Sequence, residues 1–389
     1  MTNNKDKKVL NVPNLRFPEF TGEWKKCIIG ELTTKVGSGV TPRGGEAVYK
    51  SEGHPFVRSQ NIGLGHLILD DIAYIDEDTH QRQKNTELQL DDVLLNITGA
   101  SIGRSALVNQ QIVGGNVNQH VCIIRANKKL IPSFLCNFLL SQYGQKQIES
   151  FQAGGNRQGL NFEQIKSIKI GLPSVEEQKK IADLLLLIEQ RITTQNKIIE
   201  DLKKLKSAIR KKMFSLLKDE YTESFEINQL LDYEQPTAYI VANDEYSTDT
   251  SLTPVLTANK GFILGYTDEK FGIYQKGECI IFDDFTMDAK YVSFPFKVKS
   301  SAIKILTAKP NVNLRFMFEY LSYWELKSEG HKRHYISEIA SLVIELPSKE
   351  RQSIIASLMT SLNSKLDIEA KTKIRYEEQK RYLLSQMFI

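Results

Sequence analysis

Hydrophobic residues along the chain follow two kinds of spacing. In 172–218 and in 346–389 they recur at alternating steps of four and three, which is typical of the buried seam of a coiled coil. Neither stretch contains Gly or Pro beyond its opening LPS, so each predicts one long helix. The apolar seam positions are Ile181, Leu185, Ile188, Ile192, Ile199, Leu202, Ile209, Met213 and Leu216 in the first stretch, and Ile355, Met359, Leu362, Leu366, Tyr376, Leu383 and Met387 in the second.

These two stretches are copies of one unit at an offset of 174 residues. LPSVEEQ at 172–178 matches LPSKERQ at 346–352. Polar residues also interrupt both seams at equivalent positions, which favours a common structural role for the interruptions. The matched residues are Gln195 with Glu369, Lys206 with Lys380, Met213 with Met387 and Phe214 with Phe388.

Helix-start signals stand at the head of each copy. Ser174 and Ser348 follow a proline and are natural N-cap residues. Glu177 occupies the capping-box position in the first copy, whereas Arg351 stands there in the second. The second cap is therefore expected to be weaker.

A long helix with one apolar stripe is not stable alone in water, so the two helices are expected to pack on each other. The repeat predicts an antiparallel coiled-coil pair that separates two globular heads, related by an internal pseudo-twofold repeat. The alternative is two separate helical hairpins in unrelated domains, and the matching polar interruptions argue against it.

Shorter patterns predict that each head mixes strands and helices, so the fold class is α+β. In the first half, DVLLNIT (92–98) and HVCIIRA (120–126) indicate strands, 131–148 indicates a helix that starts near Pro132, and the Gly-rich stretches 37–45 and 153–159 indicate loops. In the second half, GECIIFD (277–283) and SAIKILT (301–307) indicate strands, and a helix is expected around 312–328.

Composition is that of a globular chain, and the charge is informative only by segment. With 389 residues, 41% hydrophobic and 25% charged, the chain is not disordered, collagen-like or membrane-embedded. The net charge of +4 is the sum of unequal parts. The segments 172–218 and 346–389 carry net charges of +5 and +3, so the two heads together carry −4. Any contact of the heads with DNA must therefore be local.

The four cysteines lie far apart and form no C-x-x-C pair, which favours buried, reduced thiols. The N-terminus lacks the apolar core of a signal peptide, and the longest aliphatic run, 184–188, is far below the ~18 residues of a membrane span. A cytoplasmic protein without a membrane partner is expected.

Catalytic motifs are absent from the sequence. It contains no phosphate loop, no G-x-S-x-G, no H-E-x-x-H and no Asn/Asp-Pro-Pro-aromatic tetrapeptide. His331 and His334 have no carboxylate or thiol nearby, so a basic loop or phosphate contact is favoured over a metal pair. Asp91-Asp92 and Asp283-Asp284 are interpreted as turn and cap residues rather than nuclease carboxylates. We therefore expect no catalytic residue, no metal site and no cofactor.

Polar and basic loops remain as candidates for DNA binding. Arg, Asn and Gln can read base edges through two hydrogen bonds, and Ser and Lys suit phosphates. A surface loop without a ligand is the alternative for each. The candidates are Arg43, Arg58, Ser59, Gln60, Asn61, Arg104, Asn156, Arg157 and Gln158 in the first half, and Lys260, Lys332, Arg333, His334 and Tyr335 in the second.

Several of these motifs resemble those of a known family. The doubled LPS-x-E-x-Q with a long helix ending in Met-Phe is similar to the specificity subunits of type I restriction–modification systems. VPNLRFPEFTGEW (12–24), GSGVTPR (37–43), VRSQNI (57–62) and DDVLLNITG (91–99) are similar to their first target-recognition domain. The second half departs from the family pattern, because VLTANKGF (255–262) stands approximately where a G-x-T-P loop is expected.

The resemblance implies a domain order and a mechanism. Each target-recognition domain would read one half of a bipartite site in double-stranded DNA, and the helix pair would set the spacer. Two methyltransferase subunits would bind this chain, restriction or translocase subunits would bind those, and the S-adenosylmethionine, ATP and Mg²⁺ would belong to these partner subunits. A stand-alone DNA-binding regulator and a nuclease or methyltransferase are the competing hypotheses. The expected order is target-recognition domain 1 (1–171), helix 1 (172–218), target-recognition domain 2 (219–345) and helix 2 (346–389).

Overall fold

The computed structural model describes residues 10–152, 159–217, 223–257, 261–324 and 338–389. The chain divides into two compact units, one formed by Met1–Asn196 with Lys371–Ile389 and the other by Lys197–Ala370. Each unit contains one α+β head and a part of each long helix.

The head of the first unit is built from three antiparallel or mixed sheets. A four-stranded sheet has the order β2-β8-β5-β6, a three-stranded sheet has the order β4-β3-β7, and β1 pairs with β9. Within the three-stranded sheet β3 and β7 run parallel. The strands are β1 (Lys25–Ile28), β2 (Thr33–Ser38), β3 (His54–Val57), β4 (Ala73–Ile75), β5 (Val93–Asn96), β6 (Ser105–Leu107), β7 (Asn116–Val117), β8 (Val121–Ala126) and β9 (Lys169–Leu172).

The helices of this head are short, and one prediction about them is wrong. The single helix expected over 131–148 is two helices, because Ser141 adopts an extended conformation and its Oγ accepts a hydrogen bond from the Gly144 amide. The predicted strands over 92–98 and 120–126 are confirmed as β5 and β8. The helices are α1 (Glu77–Arg82), α2 (Pro132–Leu140), α3 (Gln142–Ser150) and α4 (Phe162–Ser167).

The head of the second unit repeats the strand order of the first. Its sheets have the orders β11-β17-β14-β15, β13-β12-β16 and β10-β18, which match the three sheets above strand for strand. The strands expected at 277–283 and 301–307 are confirmed as β14 and β17, and the helix expected around 312–328 is described over Leu314–Tyr323. The elements are β10 (Glu223–Glu226), α6 (Ile227–Leu230), β11 (Leu231–Glu234), β12 (Thr253–Leu256), β13 (Ile263–Thr267), β14 (Cys279–Asp283), β15 (Ala289–Val292), β16 (Lys297–Val298), β17 (Ile303–Ala308), α7 (Leu314–Tyr323) and β18 (Val343–Leu346).

Two long helices, α5 (Val175–Leu216) and α8 (Lys349–Gln386), confirm the prediction from the seam. In the first unit the seam residues Ile181 and Leu185 of α5 share a core with Leu383 of α8 and with Met387, which directly follows α8. In the second unit the end of α5 shares a core with Ile355 and other residues at the start of α8. The start of each helix thus packs on the end of the other, so the pair is antiparallel.

The lysine that interrupts each seam is paired with a polar residue of the other helix. Lys380 Nζ donates to Glu189 Oε2 at 2.5 Å in the first unit, and Lys206 Nζ donates to Asn363 Oδ1 at 2.5 Å in the second. Glu189 and Asn363 are themselves 174 residues apart. The repeat therefore places one lysine in each unit against the same repeat-related position of the other helix. Burial lowers the pKa of Lys206.

The helix starts are fixed by the residues of the LPS motifs. Ser174 Oγ and Ser348 Oγ accept hydrogen bonds from Glu177 N and Arg351 N, which confirms both N-caps. The expected capping-box role of Glu177 is wrong. Its buried carboxylate instead accepts two hydrogen bonds from Arg16 at 2.7 and 2.8 Å and one from Trp24 Nε1 at 3.2 Å.

The glutamine of each repeated motif joins a long helix to a head. Gln178 Oε1 accepts from Ile131 N at 2.8 Å, just before α2, and Gln352 Oε1 accepts from Asn313 N at 2.9 Å, just before α7. Their Nε2 groups donate to Pro173 O and Pro347 O. The repeated Gln therefore ties the start of a head helix to the start of a long helix in both units.

All four cysteines are free thiols. Cys27 is half-buried, whereas burial raises the pKa of Cys122 and Cys279 to about 12 and that of Cys136 to about 11. Within the described ranges, no helix has both the length and the apolar character that a membrane crossing requires.

Candidate nucleic-acid interface

The first head gathers the ends of several strands at one edge. β3 and β7 run parallel and end at Val57 and Val117, and the amide of Asn118 donates to Val57 O at 3.1 Å. β2 and β5 both pair antiparallel with β8, so they point the same way as each other. The residues that follow these strands therefore belong to neighbouring turns, which we call the loop edge of the first head (residues 39–43, 58–61, 97–104 and 118–120).

The turn after β3 holds the candidates Arg58 to Asn61. Asn61 is fully buried, its Oδ1 accepts from Arg58 N at 2.9 Å and its Nδ2 donates to Ile68 O at 2.9 Å. Arg58 is largely buried, and its guanidinium donates to Asp71 O at 2.7 Å and lies 5.4 Å from the centroid of the Tyr49 ring. The side chain of Gln60 is exposed and also donates to Asp71. Asn61 and Arg58 therefore shape the turn, and Gln60 projects from it.

A buried asparagine joins this turn to the one that carries Arg104. The side-chain Nδ2 of Asn96 donates to Ser59 O at 2.8 Å and to Ser101 Oγ at 3.0 Å. The backbone N of Asn96 donates to Arg104 O at 2.9 Å. Arg104 itself is exposed. Asn96 was not among the sequence candidates, although a lone amide inside an apolar strand was a usable signal.

Arg43 stands in the third turn of the edge and is exposed. The backbone reaches it past Gly39, where a Cβ atom would lie 1.7 Å from Val117 O, so only glycine fits. Thr41 N then donates to Gln119 Oε1 at 2.9 Å, and the Thr41 hydroxyl binds the same oxygen. Gln119 is exposed and is a further polar residue of the edge that the motif search missed.

The Gly-rich stretch over 153–159 meets the same edge at its end, because Gly159 forms a β-bridge with Thr98. The Thr98 hydroxyl also lies 2.6 Å from His120 Nδ1. The candidates Asn156, Arg157 and Gln158 lie outside the described residues.

In the second head the equivalent edge follows β11, β12, β14 and β16. Because β12 corresponds to β3, Val255 and Leu256 at the start of VLTANKGF stand at the place where VRSQNI begins, not at the place of the GSGVTPR loop as expected. The segment that follows β11 takes the place of GSGVTPR instead. The candidates Lys260, Lys332, Arg333, His334 and Tyr335 lie outside the described residues, as does His331.

Asp283 caps a turn, as expected, whereas Asp92 and Asp284 also form ion pairs. Asp92 is buried, and its two carboxylate oxygens accept from Arg125 Nε and Nη2 at 2.7 Å each. Asp283 Oδ1 accepts from the amides of the following turn, and Asp284 lies 3.5 Å from the ammonium of Lys304, with both side chains closed to solvent. In the part of the chain that the structure describes, no group of three His, Cys, Asp or Glu residues could hold a metal ion.

What this edge offers chemically is a set of exposed hydrogen-bond donors next to two buried asparagines. Arg43 and Arg104 present guanidinium groups, and Gln60 and Gln119 present amides, while Asn61 and Asn96 hold the turns from below. Guanidinium groups bind phosphates and guanine edges, and amides bind adenine edges. The edge is therefore suited to a polyanion with readable base edges.

Comparison with known proteins is consistent with this architecture. A family model described as the type I restriction modification DNA specificity domain matches twice, over 21–204 and 220–378. The chain is 39% identical over 178 residues to the EcoR124I/EcoR124II specificity subunit of Escherichia coli, an alignment that covers 41% of this chain and 43% of that subunit. It is 22% identical to the putative MjaX specificity subunit of Methanocaldococcus jannaschii, with 96% of this chain and 95% of that protein covered.

Solved structures share the fold. The specificity subunit from M. genitalium matches with a TM-score of 0.63 at 16% identity, over 97% of this chain and 99% of that one. A chain from a structural study of assembly and conformational transition in the type I restriction–modification system matches with a TM-score of 0.55 at 15% identity, over 93% and 96%.

Proposed function

Because the chain belongs to the type I restriction–modification specificity subunits, we propose that each head reads one half of a bipartite site in double-stranded DNA. The first head does so with the loop edge, where Arg43, Gln60, Arg104 and Gln119 face the DNA. Asn61 and Arg58 hold the turn, and Ser59 presents its backbone to Asn96. The sequence candidates outside the described residues complete the two reading surfaces.

The observation that carries this proposal is the repeated strand order of the two heads. Two copies of one sheet scaffold, with different residues in the turns at the same edge, are suited to reading two different half-sites. Polar turns on a rigid scaffold are where binding residues concentrate.

Domain boundaries at 171/172, 218/219 and 345/346 remain part of the proposal. In it the helix pair sets the spacer between the half-sites and docks two methyltransferase subunits, through which restriction subunits join. Exposed apolar side chains along both helices support the docking role, because such residues favour protein contacts. They are Leu186, Leu187, Ile198 and Leu205 on α5, and Ile354, Leu358, Ile368, Ile374 and Tyr382 on α8.

Exchange of one head tests the proposal. Residues 1–171 are replaced by the corresponding head of a relative with another specificity, and the methylome of a host that carries this chain and its methyltransferase subunit is sequenced. We expect one half-site to change and the other to persist. A change in both halves, or in neither, would contradict the proposal.

The purified chain provides the matching control. Alone it is expected to leave DNA unmethylated, and with the methyltransferase subunit it directs methylation at adenine within the site. Methylation by the chain alone would favour an enzyme, and site-specific binding that never directs methylation would favour a stand-alone regulator.

A further inference from the structure

Lys380, a seam residue of α8, reaches out of the helix pair to the first head. Its ammonium donates to Glu189 Oε2 at 2.5 Å and also to the backbone carbonyl of Leu64 at 2.8 Å. Leu64 belongs to the tip of a hairpin that spans 58–71, which we call the reading hairpin. We propose that Lys380 is a positioning residue that sets the reading hairpin and thereby the base readout of the first head, an inference that rests on the proposed function.

The reading hairpin carries DNA candidates at its base and the lysine contact at its tip. At the base, Asn61 bonds to Arg58 and to Ile68 across the hairpin. At the tip, Gly63 N donates to His66 O at 2.9 Å, and Gly65 N donates to Ser105 O at 2.9 Å. Within the hairpin, the bonds from Gly63 N to His66 O and from Ile68 N to Asn61 O connect the tip to the base, so we expect a displaced tip to move the turn that presents Gln60.

Glycine at position 65 allows the ammonium to approach. Its φ of +95° is a conformation that other residues rarely adopt, and a Cβ there would lie 2.9 Å from Lys380 Nζ. The tip is thus shaped to receive the lysine.

Apolar packing does little to hold the tip in its place. Leu64 is 61% exposed, and the side chain of His66 is 51% exposed. A cavity of about 520 Å³ opens beside the tip, with Leu64, His66, Glu189 and Lys380 among its lining residues. The polar contacts are consequently the main link between the tip and the helices.

Glu189 completes this link, because its Oε1 lies 3.2 Å from His66 Nδ1. Burial works to raise the pKa of Glu189, but hydrogen bonds from His66 and Lys380 and their charges outweigh it, so the pKa lies below its ordinary value. Glu189 is therefore an anion that orients the Lys380 ammonium toward Leu64 O.

The corresponding pair in the second unit has a different contact. Asn363 Nδ2 lies 3.4 Å from Glu319 Oε1 of α7, and Glu319 also receives two hydrogen bonds from Arg210. There the seam pair meets a head helix, whereas in the first unit it meets a hairpin that carries DNA candidates. We therefore assign the positioning of a hairpin with DNA-binding candidates to Lys380 and not to Lys206.

K380M tests the inference with two independent measurements. Hydrogen exchange on the full chain follows the amides of Gly63, Gly65 and Ile68, which we expect to exchange about tenfold faster because a charged hydrogen bond is lost. In the complex with the methyltransferase subunit, discrimination against single-base changes is expected to fall about tenfold in the half-site of the first head and to stay unchanged in the other.

K166M is the matched control, because Lys166 forms an exposed ion pair with Glu163 in the same unit and does not contact the hairpin. E189Q should give a smaller effect of the same kind, and it carries the test should K380M fail to fold. Unchanged exchange, or faster exchange with unchanged discrimination, overturns the inference, as does an equal loss at both half-sites.

The two failures are distinguishable. Should the wild-type complex methylate no bipartite site, the proposed function fails, and the exchange measurement on the free chain then still reports whether Lys380 holds the hairpin.

Discussion

Individual polar residues of the loop edge fall into two groups with different burial. Asn61 and Asn96 are buried, and their side-chain amides form hydrogen bonds with backbone groups of neighbouring turns. Gln60, Arg43 and Arg104 are exposed. A buried amide with several hydrogen bonds supports structure, and an exposed one is available to a ligand, so substitutions in the two groups should have separable consequences.

We expect N61A to lower the free energy of unfolding by about 1–3 kcal/mol, because backbone partners of Asn61 lose their hydrogen bonds inside the protein. Q60A should change the free energy of unfolding by less than about 0.5 kcal/mol. It should nevertheless weaken discrimination against single-base changes in the half-site of the first head. Urea unfolding and methylation of variant sites measure the two effects. Equal loss of stability in both variants would contradict the division.

At the scale of elements, the start of α5 is held from two sides. Gln178 bonds to the residue before α2, and Glu177 binds Arg16 and Trp24 of the N-terminal segment. The side chain of Glu177 is 2% exposed, and that of Arg16 is 16% exposed. Because the carboxylate is shielded from water, the charge and hydrogen bonds of Arg16 offset the free-energy cost of burying it.

R16A should therefore destabilise the first unit strongly, by about 3–5 kcal/mol, because it leaves a buried carboxylate without its cation. K204A removes an exposed pair with Glu200 on α5 and should leave the unfolding temperature almost unchanged, because water screens that pair. Thermal unfolding of the two variants compares them directly. A small effect of R16A would mean that Glu177 can find water or another donor.

These particular residues explain how far sequence reasoning reached. The seams, both N-caps and the central strands were predictable because each follows a local period or a local hydrogen bond. The break of the 131–148 helix at Ser141 was not, since apolar spacing continues across it. The roles of Glu177 and Lys380 were also out of reach, because their partners Trp24 and Leu64 are 153 and 316 residues away in the chain.

For the whole molecule, the boundaries between the two compact units fall inside the long helices, at 196/197 in α5 and at 370/371 in α8. Neither position lies in a head. A change of helix length there leaves the hydrogen bonds of both loop edges and both repeated motifs as they are.

Insertion of seven residues at both positions keeps the seam in phase and lengthens each helix by about 10 Å. In the proposed function we expect a spacer about 3 bp longer and unchanged half-sites, as read by methylome sequencing. An insertion of seven residues in α5 alone serves as the control and should disrupt assembly. An unchanged spacer after the double insertion would refute the role of the helices.

The two seam lysines also help to select the register of the helix pair, that is, which residues of α5 and α8 lie opposite each other. Both pairs, Lys380 with Glu189 and Lys206 with Asn363, belong to a single antiparallel alignment. A slip of one heptad in either direction would set Lys206 opposite Ala356 or Ala370, and its ammonium would lose its oxygen partner inside the seam. A polar group at one seam position is known to select register at some expense of stability. The two lysine contacts therefore favour this alignment of the helices over one that is shifted by a heptad.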